Sequence, residues 1–259
     1  MYLSDLSWPE AQTYFSRKDI ALIPVGAQEN HGNHLPLGTD SPLPRHLAGR
    51  IAQQREILIA PLIPYGVSDH HAAFPGTVSI GYEGLWAVVD AVVRSLANWG
   101  IRRFIFLNGH GGNSPVLNRA CLQIGRLGGV GVTVNWWQLA GELNPLWKGG
   151  HAGGQETAAM LAVCPDCVHM ESIADFTPRR LTDRLRYASL GRVELDGVGV
   201  DMPSDVRWVT ETGWFGADHP RDASAGWGEE MLEATAQFCC ELIDELQKIE
   251  LPPAAATLL

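Results

Sequence analysis

The chain has 259 residues, 46% of them hydrophobic, enough to enclose a sizeable core in one α/β domain. A net charge of −10 with only 19 Lys and Arg argues against a nucleic-acid partner, because holding phosphates takes concentrated positive charge. No apolar run reaches the roughly 20 residues of a membrane span and the opening residues lack a basic-then-apolar leader, so a cytoplasmic protein acting on a small molecule, away from membranes, is expected.

Ser7 as N-cap and Pro9 in the first turn predict a helix over about 8–17. Ile20-Ala21-Leu22-Ile23-Pro24-Val25 then reads as a short buried strand. It leads into Glu29-Asn30-His31-Gly32-Asn33-His34-Leu35-Pro36-Leu37-Gly38-Thr39-Asp40, which gathers carboxylates and imidazoles in one segment. In extended backbone alternate side chains share a face, so Glu29 and His31 project to one point, to which Asp40 can return from the loop. A carboxylate that bridges, with mixed oxygen and nitrogen donors, suits a pair of divalent cations of the zinc, manganese or magnesium kind.

A helix over about 41–54, a strand near 57–60 and a helix over about 82–99 come next. The strand near 103–107 ends in Asn108-Gly109-His110-Gly111-Gly112-Asn113, which puts His110 at a strand's carboxyl end, where open α/β sheets bind ligands. A helix over about 114–127 and a strand near 130–135 follow. Trp147-Lys148-Gly149-Gly150-His151-Ala152-Gly153-Gly154-Gln155-Glu156-Thr157 then opens a helix near 155–163, and the dipole of that helix start is expected to lower the pKa of Glu156. A last helix is expected over about 229–248. This alternation implies right-handed crossovers and an α/β fold of three αβα layers around a mostly parallel central sheet.

Residues 169–228, rich in Gly, Asp and Trp but poor in period, read as an edge excursion, a lid or an oligomer contact within a single 1–259 domain. The basic group Arg179, Arg180, Arg184 and Arg186 reads as a solvated helix face, and the residues after Leu251 as a short tail. Five cysteines fit a reducing compartment, with Cys164-Pro165-Asp166-Cys167 spaced as half a zinc site that lacks a second pair.

Together the motifs resemble those of the creatinine amidohydrolase (creatininase) family: Glu-x-His-Gly-x-His-Leu-Pro-x-x-Thr-Asp at 29–40, Asn-Gly-His-Gly-Gly-Asn at 108–113 and His-Ala-Gly-x-x-Glu-Thr at 151–157. A fourth element, Ser68-Asp69-His70-His71-Ala72-Ala73-Phe74-Pro75-Gly76-Thr77, falls between the first two. The resemblance implies a creatininase-like fold, a dinuclear metal centre, hydrolysis of cyclic amides or related C–N bonds, and a homohexamer. It makes Glu29, His31, Asp40 and His110 metal ligands, Asp40 the bridge and Glu156 the fifth. Together they would hold two divalent ions per chain, zinc or manganese, with iron(II) and magnesium as alternatives.

Gly111 and Gly112 stand where creatininase carries Tyr and Glu, so creatinine itself is not the expected substrate. Lys148 replaces an acidic residue, and His70 and Gly154 stand where many relatives have Glu. On this reading His151 carries a proton to the leaving nitrogen with Glu156 beside it. His34, Ser68, His71, Trp147, Lys148, Gly111 and Gly112 surround the substrate, the glycine amides facing developing negative charge and His34 also able to orient a liganding carboxylate. The expected reaction is hydrolysis of a small cyclic amide, lactam or formamide; the alternatives are C–C bond hydrolysis in a cyclic keto-polyol and the trimming of a peptide.

Overall fold

The computed structural model describes residues 1–175 and 179–253. Helix α1 (Trp8–Phe15) starts with a capping box in which Glu10 accepts from the Ser7 amide at 2.7 Å, an arrangement that typically contributes about 1 kcal/mol. The chain continues through β1 (Ile20–Val25), α2 (Pro42–Gln54), β2 (Leu58–Ile59), α3 (Gly81–Asn98), β3 (Arg103–Asn108), α4 (Ser114–Arg126) and β4 (Val130–Asn135). Strands β2-β1-β3-β4 form one all-parallel sheet in that order.

Side chains alternate across the sheet, as a two-residue period requires. Ile20 and Leu22 of β1 and Ile105 and Leu107 of β3 face a core shared with α2 and with α5 (Trp136–Leu143), α6 (Gly154–Val163) and α8 (Ala225–Lys248). Ala21, Ile23 and Val25, with Phe104 and Phe106, face the opposite core of α1, α3 and α4. The result is the three-layer αβα arrangement. Tyr14 ties α1 to the sheet edge, its hydroxyl donating to Ile20 O at 2.7 Å and accepting from Leu58 N at 3.0 Å. At the other end of the sheet the buried Arg103 donates to Leu246 O at 2.8 Å, locking β3 to the end of α8.

The register aligns Val25 with Asn108 and Asn108 with Asn135, so all three strands end at one edge. From that edge β1 departs toward β2 and β3 toward β4. Their divergence makes a crevice between them, the topological switch point where open α/β sheets place ligands.

Residues 169–228 hold a separate antiparallel sheet of β5 (Leu185–Ser189), β6 (Arg192–Leu195) and β7 (Val198–Asp201), followed by the one-turn helix α7 (Val206–Val209). Arg184 and Arg186 therefore lie at and on a strand rather than on a helix face, and they pair with Asp196 and Glu194. Two further expectations are corrected. Cys164 and Cys167 are joined in a disulfide across the Pro165–Cys167 turn, whereas Cys121, Cys239 and Cys240 are free thiols. Helix α8 begins at Ala225, capped by Ser224 Oγ on the Trp227 amide, earlier than 229. Most of the tail after Leu251 lies outside the described residues. Among those described, no helix is long and apolar enough to cross a membrane.

Candidate metal centre

The two loops leaving β1 and β3 are fastened to each other before any functional side chain is placed. Asn113 donates to Gly26 O at 3.0 Å and to Asn108 Oδ1 at 3.2 Å, and its own carbonyl oxygen accepts from Val67 N at 3.0 Å. Asn108 in turn donates to His110 O at 2.7 Å. The glycines permit this packing: a Cβ on Gly109 would stand 2.0 Å from Asp40 O, and one on Gly112 2.0 Å from Val67 O. Backbone thus holds Asp40 and His110 side by side.

Around that point Glu29, His31, Asp40, His71, His110 and Glu156 are all buried, and His151 sits among them with its ring 4.5 Å from those of both His31 and His71. The histidine tautomers follow from their outer partners. Donation from Nδ1 of His31 to Glu29 O (3.2 Å), from Nε2 of His110 to Val67 O (2.7 Å) and from Nε2 of His151 to Asn30 O (2.7 Å) leaves each inner nitrogen facing the carboxylates. His31 Nε2 lies 3.1 Å from Asp40 Oδ1 and 3.7 Å from Glu156 Oε2. His110 Nδ1 lies 3.1 Å from Glu29 Oε1 and 3.4 Å from Asp40 Oδ2. His71 Nε2 and His151 Nδ1 approach the same Glu29 oxygen at 3.3 and 3.8 Å.

Lone pairs facing lone pairs at such distances repel unless a proton or a cation lies between them. Both Glu29 oxygens and Asp40 Oδ2 are buried without a hydrogen-bond donor, a costly state for an ionised carboxylate. The residues fit a metal: His31, Asp40 and Glu156 present one atom each within 4.8 Å of one another, as do Glu29, His31 and His151, and Glu29, His70 and His110. Asp40 turns one oxygen to His31 and the other to His110, the disposition of a bridging carboxylate.

Without an ion, protons take that place. Burial opposes charging His31, yet Asp40, Glu156 and Glu29 outweigh it and lift the ring to about 10. His110 rises against burial to about 9 through Glu29 and Asp40. Burial pushes Glu29 up, but His110, His71 and His151 prevail and hold it well below the usual carboxylate range. Burial pulls His71 down to about 3 and, with His31 and His71 adding to it, holds His151 well below the imidazole range. Glu156 corrects the dipole argument: burial and the charge of Asp40 outweigh His31 and the Ala152 amide, which donates to it at 2.6 Å, and raise it to about 7.

The remaining predicted residues fall in different places. Fully buried, His34 donates to Thr157 Oγ1 at 3.0 Å, so it braces α6 rather than lining an open space. Ser68 is buried at the start of the Asp69–His71 turn. Gly111 is exposed, with Trp137 the nearest neighbour a Cβ there would meet, and Gly112 lies under the His110 ring. Trp147 is packed into the α2–α6–α8 core, and Lys148 is exposed against Gly141; neither joins the cluster.

Two residues were missed. His70 groups with Glu29 and His110; the sequence signals for it were its place beside His71 and its stand at a fourth-motif position where many relatives have Glu, and neither was read as marking a ligand. Asp218 accepts from Gly150 N and Gln155 N, both at 2.8 Å, and clamps the loop that carries His151; nothing local in the sequence points to it. Within that loop Ala152 holds a left-handed φ of 50°, a conformation unfavourable by about 1 kcal/mol without glycine.

A buried carboxylate–imidazole cluster at the switch point of a parallel α/β sheet marks a protein able to hold divalent metal ions there, as metal-dependent hydrolases do. The creatinine amidohydrolase family model matches residues 4–243, and the chain belongs to that family. The mycofactocin precursor peptide peptidase of Mycolicibacterium smegmatis is 30% identical over 250 residues, covering 94% of this chain and 92% of the relative. The creatinine amidohydrolase of Pseudomonas putida is 30% identical over 69% of this chain and 77% of its own length. The 3-dehydro-scyllo-inosose hydrolase of Thermotoga maritima is 28% identical over 98% and 87%. Among solved structures, a creatinine amidohydrolase (creatininase) superposes with a TM-score of 0.78 at 26% identity, covering 96% of this chain and 98% of that one. A creatininase described with Mn and a mutant creatininase of Zn-Zn type each give 0.75 at 27% identity, covering 94% and 97%.

Proposed function

We propose that this protein hydrolyses an amide C–N bond in a small cyclic amide, lactam or formamide, using two divalent ions per chain. The observation that carries the reading is Asp40, whose oxygens face His31 on one side and His110 on the other, each histidine having a second carboxylate within 3.7 Å. Two ions bound there would polarise the substrate carbonyl and bring the pKa of an attacking water toward neutrality. The chain's own residues supply the rest. His151, neutral and aimed by Asn30 O, offers Nδ1 as the atom that takes a proton and returns it to the leaving nitrogen. The burial of the cluster excludes bulk water, and the exposed Gly111 beside Trp137 leaves a close approach for a flat substrate.

Gly111 and Gly112 supply no carboxylate behind His110, which disfavours creatinine. A second reading, trimming of a peptide, is favoured by a cleft of about 560 Å³ lined by Arg179, Arg207, Trp208, Thr210 and Thr212. It adjoins α7, which packs on the Asp69–His71 turn, and Arg207 itself donates to Ala73 O. The wide coverage of the mycobacterial peptide peptidase supports the same reading.

The test is a mass-spectrometric product screen of Zn- and Mn-loaded protein against five- and six-membered lactams, hydantoins, formamides, creatinine, short peptides and cyclic keto-polyols. Ring-opened amides or released formate are expected. Shortened peptides would establish the second reading, and an opened sugar acid as the sole product would overturn both.

A further inference from the structure

We propose that His70 is a ligand of the cation held at Glu29 and His110, and that it biases this position toward zinc over manganese. The inference rests on the metal-centre reading above. Glu29, His70 and His110 each place a donor atom within 4.8 Å of the others, and the tetrahedral edge around an ion at about 2.1 Å is roughly 3.4 Å, so modest movement closes the site.

The His70 ring lies nearly parallel to that of His110, at 11° with centroids 5.7 Å apart, and 4.5 Å from that of His71. Its backbone is fixed by the Asp69–His71 turn, closed by His71 N donating to Ser68 O at 2.9 Å and Phe74 N donating to His71 O at 3.0 Å. The rings of His31, His34, His110 and His151 all engage a carbonyl or hydroxyl through one nitrogen. No hydrogen bond to the His70 ring is present among the described residues. It is a half-buried imidazole on a rigid turn, directed at a carboxylate and with its nitrogens uncommitted.

The consequence is an asymmetry between the two halves of the centre. His31, Asp40 and Glu156 offer one nitrogen and two carboxylates, whereas Glu29, Asp40, His110 and His70 offer two nitrogens and two carboxylates. Added imidazole favours zinc, while carboxylate-rich sets suit manganese and magnesium.

The experiment strips wild type, His70→Ala, His70→Glu and the remote control His169→Ala of metal, then loads them from mixtures of zinc and manganese. Bound ions are counted by plasma mass spectrometry and cobalt-loaded samples are read by visible absorption. All four proteins should bind two ions at saturation. The zinc-to-manganese preference should fall at least about tenfold in His70→Ala and further in His70→Glu, with a changed cobalt spectrum in both and no change in His169→Ala. Two bound ions with an unaltered preference in both His70 variants would overturn the role of His70 alone. Fewer than two ions in the wild type would overturn the dinuclear reading and this inference with it.

Discussion

In the proposed dinuclear reading the two halves of the centre depend on Asp40, because each of its oxygens faces a different histidine. Asp40→Asn keeps the shape but replaces one oxygen with a donor that cannot ligate. Metal affinity should drop by more than about 100-fold, since losing only an outer-shell partner already costs 10- to 100-fold, and turnover should vanish with it; ion counting beside an activity assay checks both. His151→Ala should cut turnover while both ions stay bound, and loss of the ions instead would reassign His151 as a ligand. The histidine pKa values give a third expectation. At pH 7 the metal-free protein holds protons on His31 and His110, raised to about 10 and 9, and partly on Glu156, raised to about 7. An ion must displace them, so uptake at pH 7 releases about two to three protons per chain. Affinity therefore rises with pH toward 9 to 10 and falls as the solution is acidified. Calorimetry in buffers of different ionisation enthalpy measures the count, and a pH-independent affinity would contradict the burial and charge argument.

At the scale of elements, the loop before α6 illustrates what the sequence shows and what it hides. Its motif announces His151 and Glu156, but the clamp that shapes it, Asp218, lies 68 and 63 residues away from the two amides it accepts from. Asp218→Ala should leave those buried amides without an acceptor, costing about 1–3 kcal/mol, and should lower kcat more than it raises KM. Denaturant melts and steady-state kinetics separate the two effects. Strands β1 and β3 were legible because each carries an apolar run followed directly by a glycine, Gly26 and Gly109, and β1, β3 and β4 lie within a residue of their expected limits. Helix α5 was not, since it begins at Trp136 directly after β4 with no glycine or proline to mark the change. The β5–β7 sheet was not read from the sequence, although Asp196-Gly197, with positive φ of 50° and 85°, forms a two-residue hairpin turn flanked by Leu195 and Val198. Its short, half-exposed strands lack the apolar runs that betrayed the central sheet. His70 stayed hidden for another reason: a histidine beside a histidine does not reveal which of them faces the carboxylates.

For the whole molecule, the proposed metal centre would stabilise the fold as well as serve the chemistry. It joins the β1 loop, the β3 loop, the Asp69–His71 turn and the start of α6, four segments brought together from 29 to 156 in the chain. In the metal-free state it confines several carboxylates and imidazoles whose charges are only partly matched, and ions that bind the folded chain alone shift the equilibrium by mass action. An ion present at 100 times its dissociation constant adds about 2.7 kcal/mol, and for a chain of this size each kcal/mol moves the melting midpoint by about 2–4 °C. Chelation should therefore lower Tm by about 5–10 °C per ion lost, and zinc or manganese should restore it. Asp40→Asn should melt near the chelated wild type and respond little to added metal. We propose a hexamer, the assembly expected from the sequence motifs, with six times the 28.2 kDa mass of the chain, so the melts belong beside light scattering before and after chelation. An unchanged mass with a lowered Tm would locate the metal's stabilisation within each chain, as the supply of every proposed ligand by a single chain predicts. A mass that fell with the metal would instead tie the centre to subunit contacts.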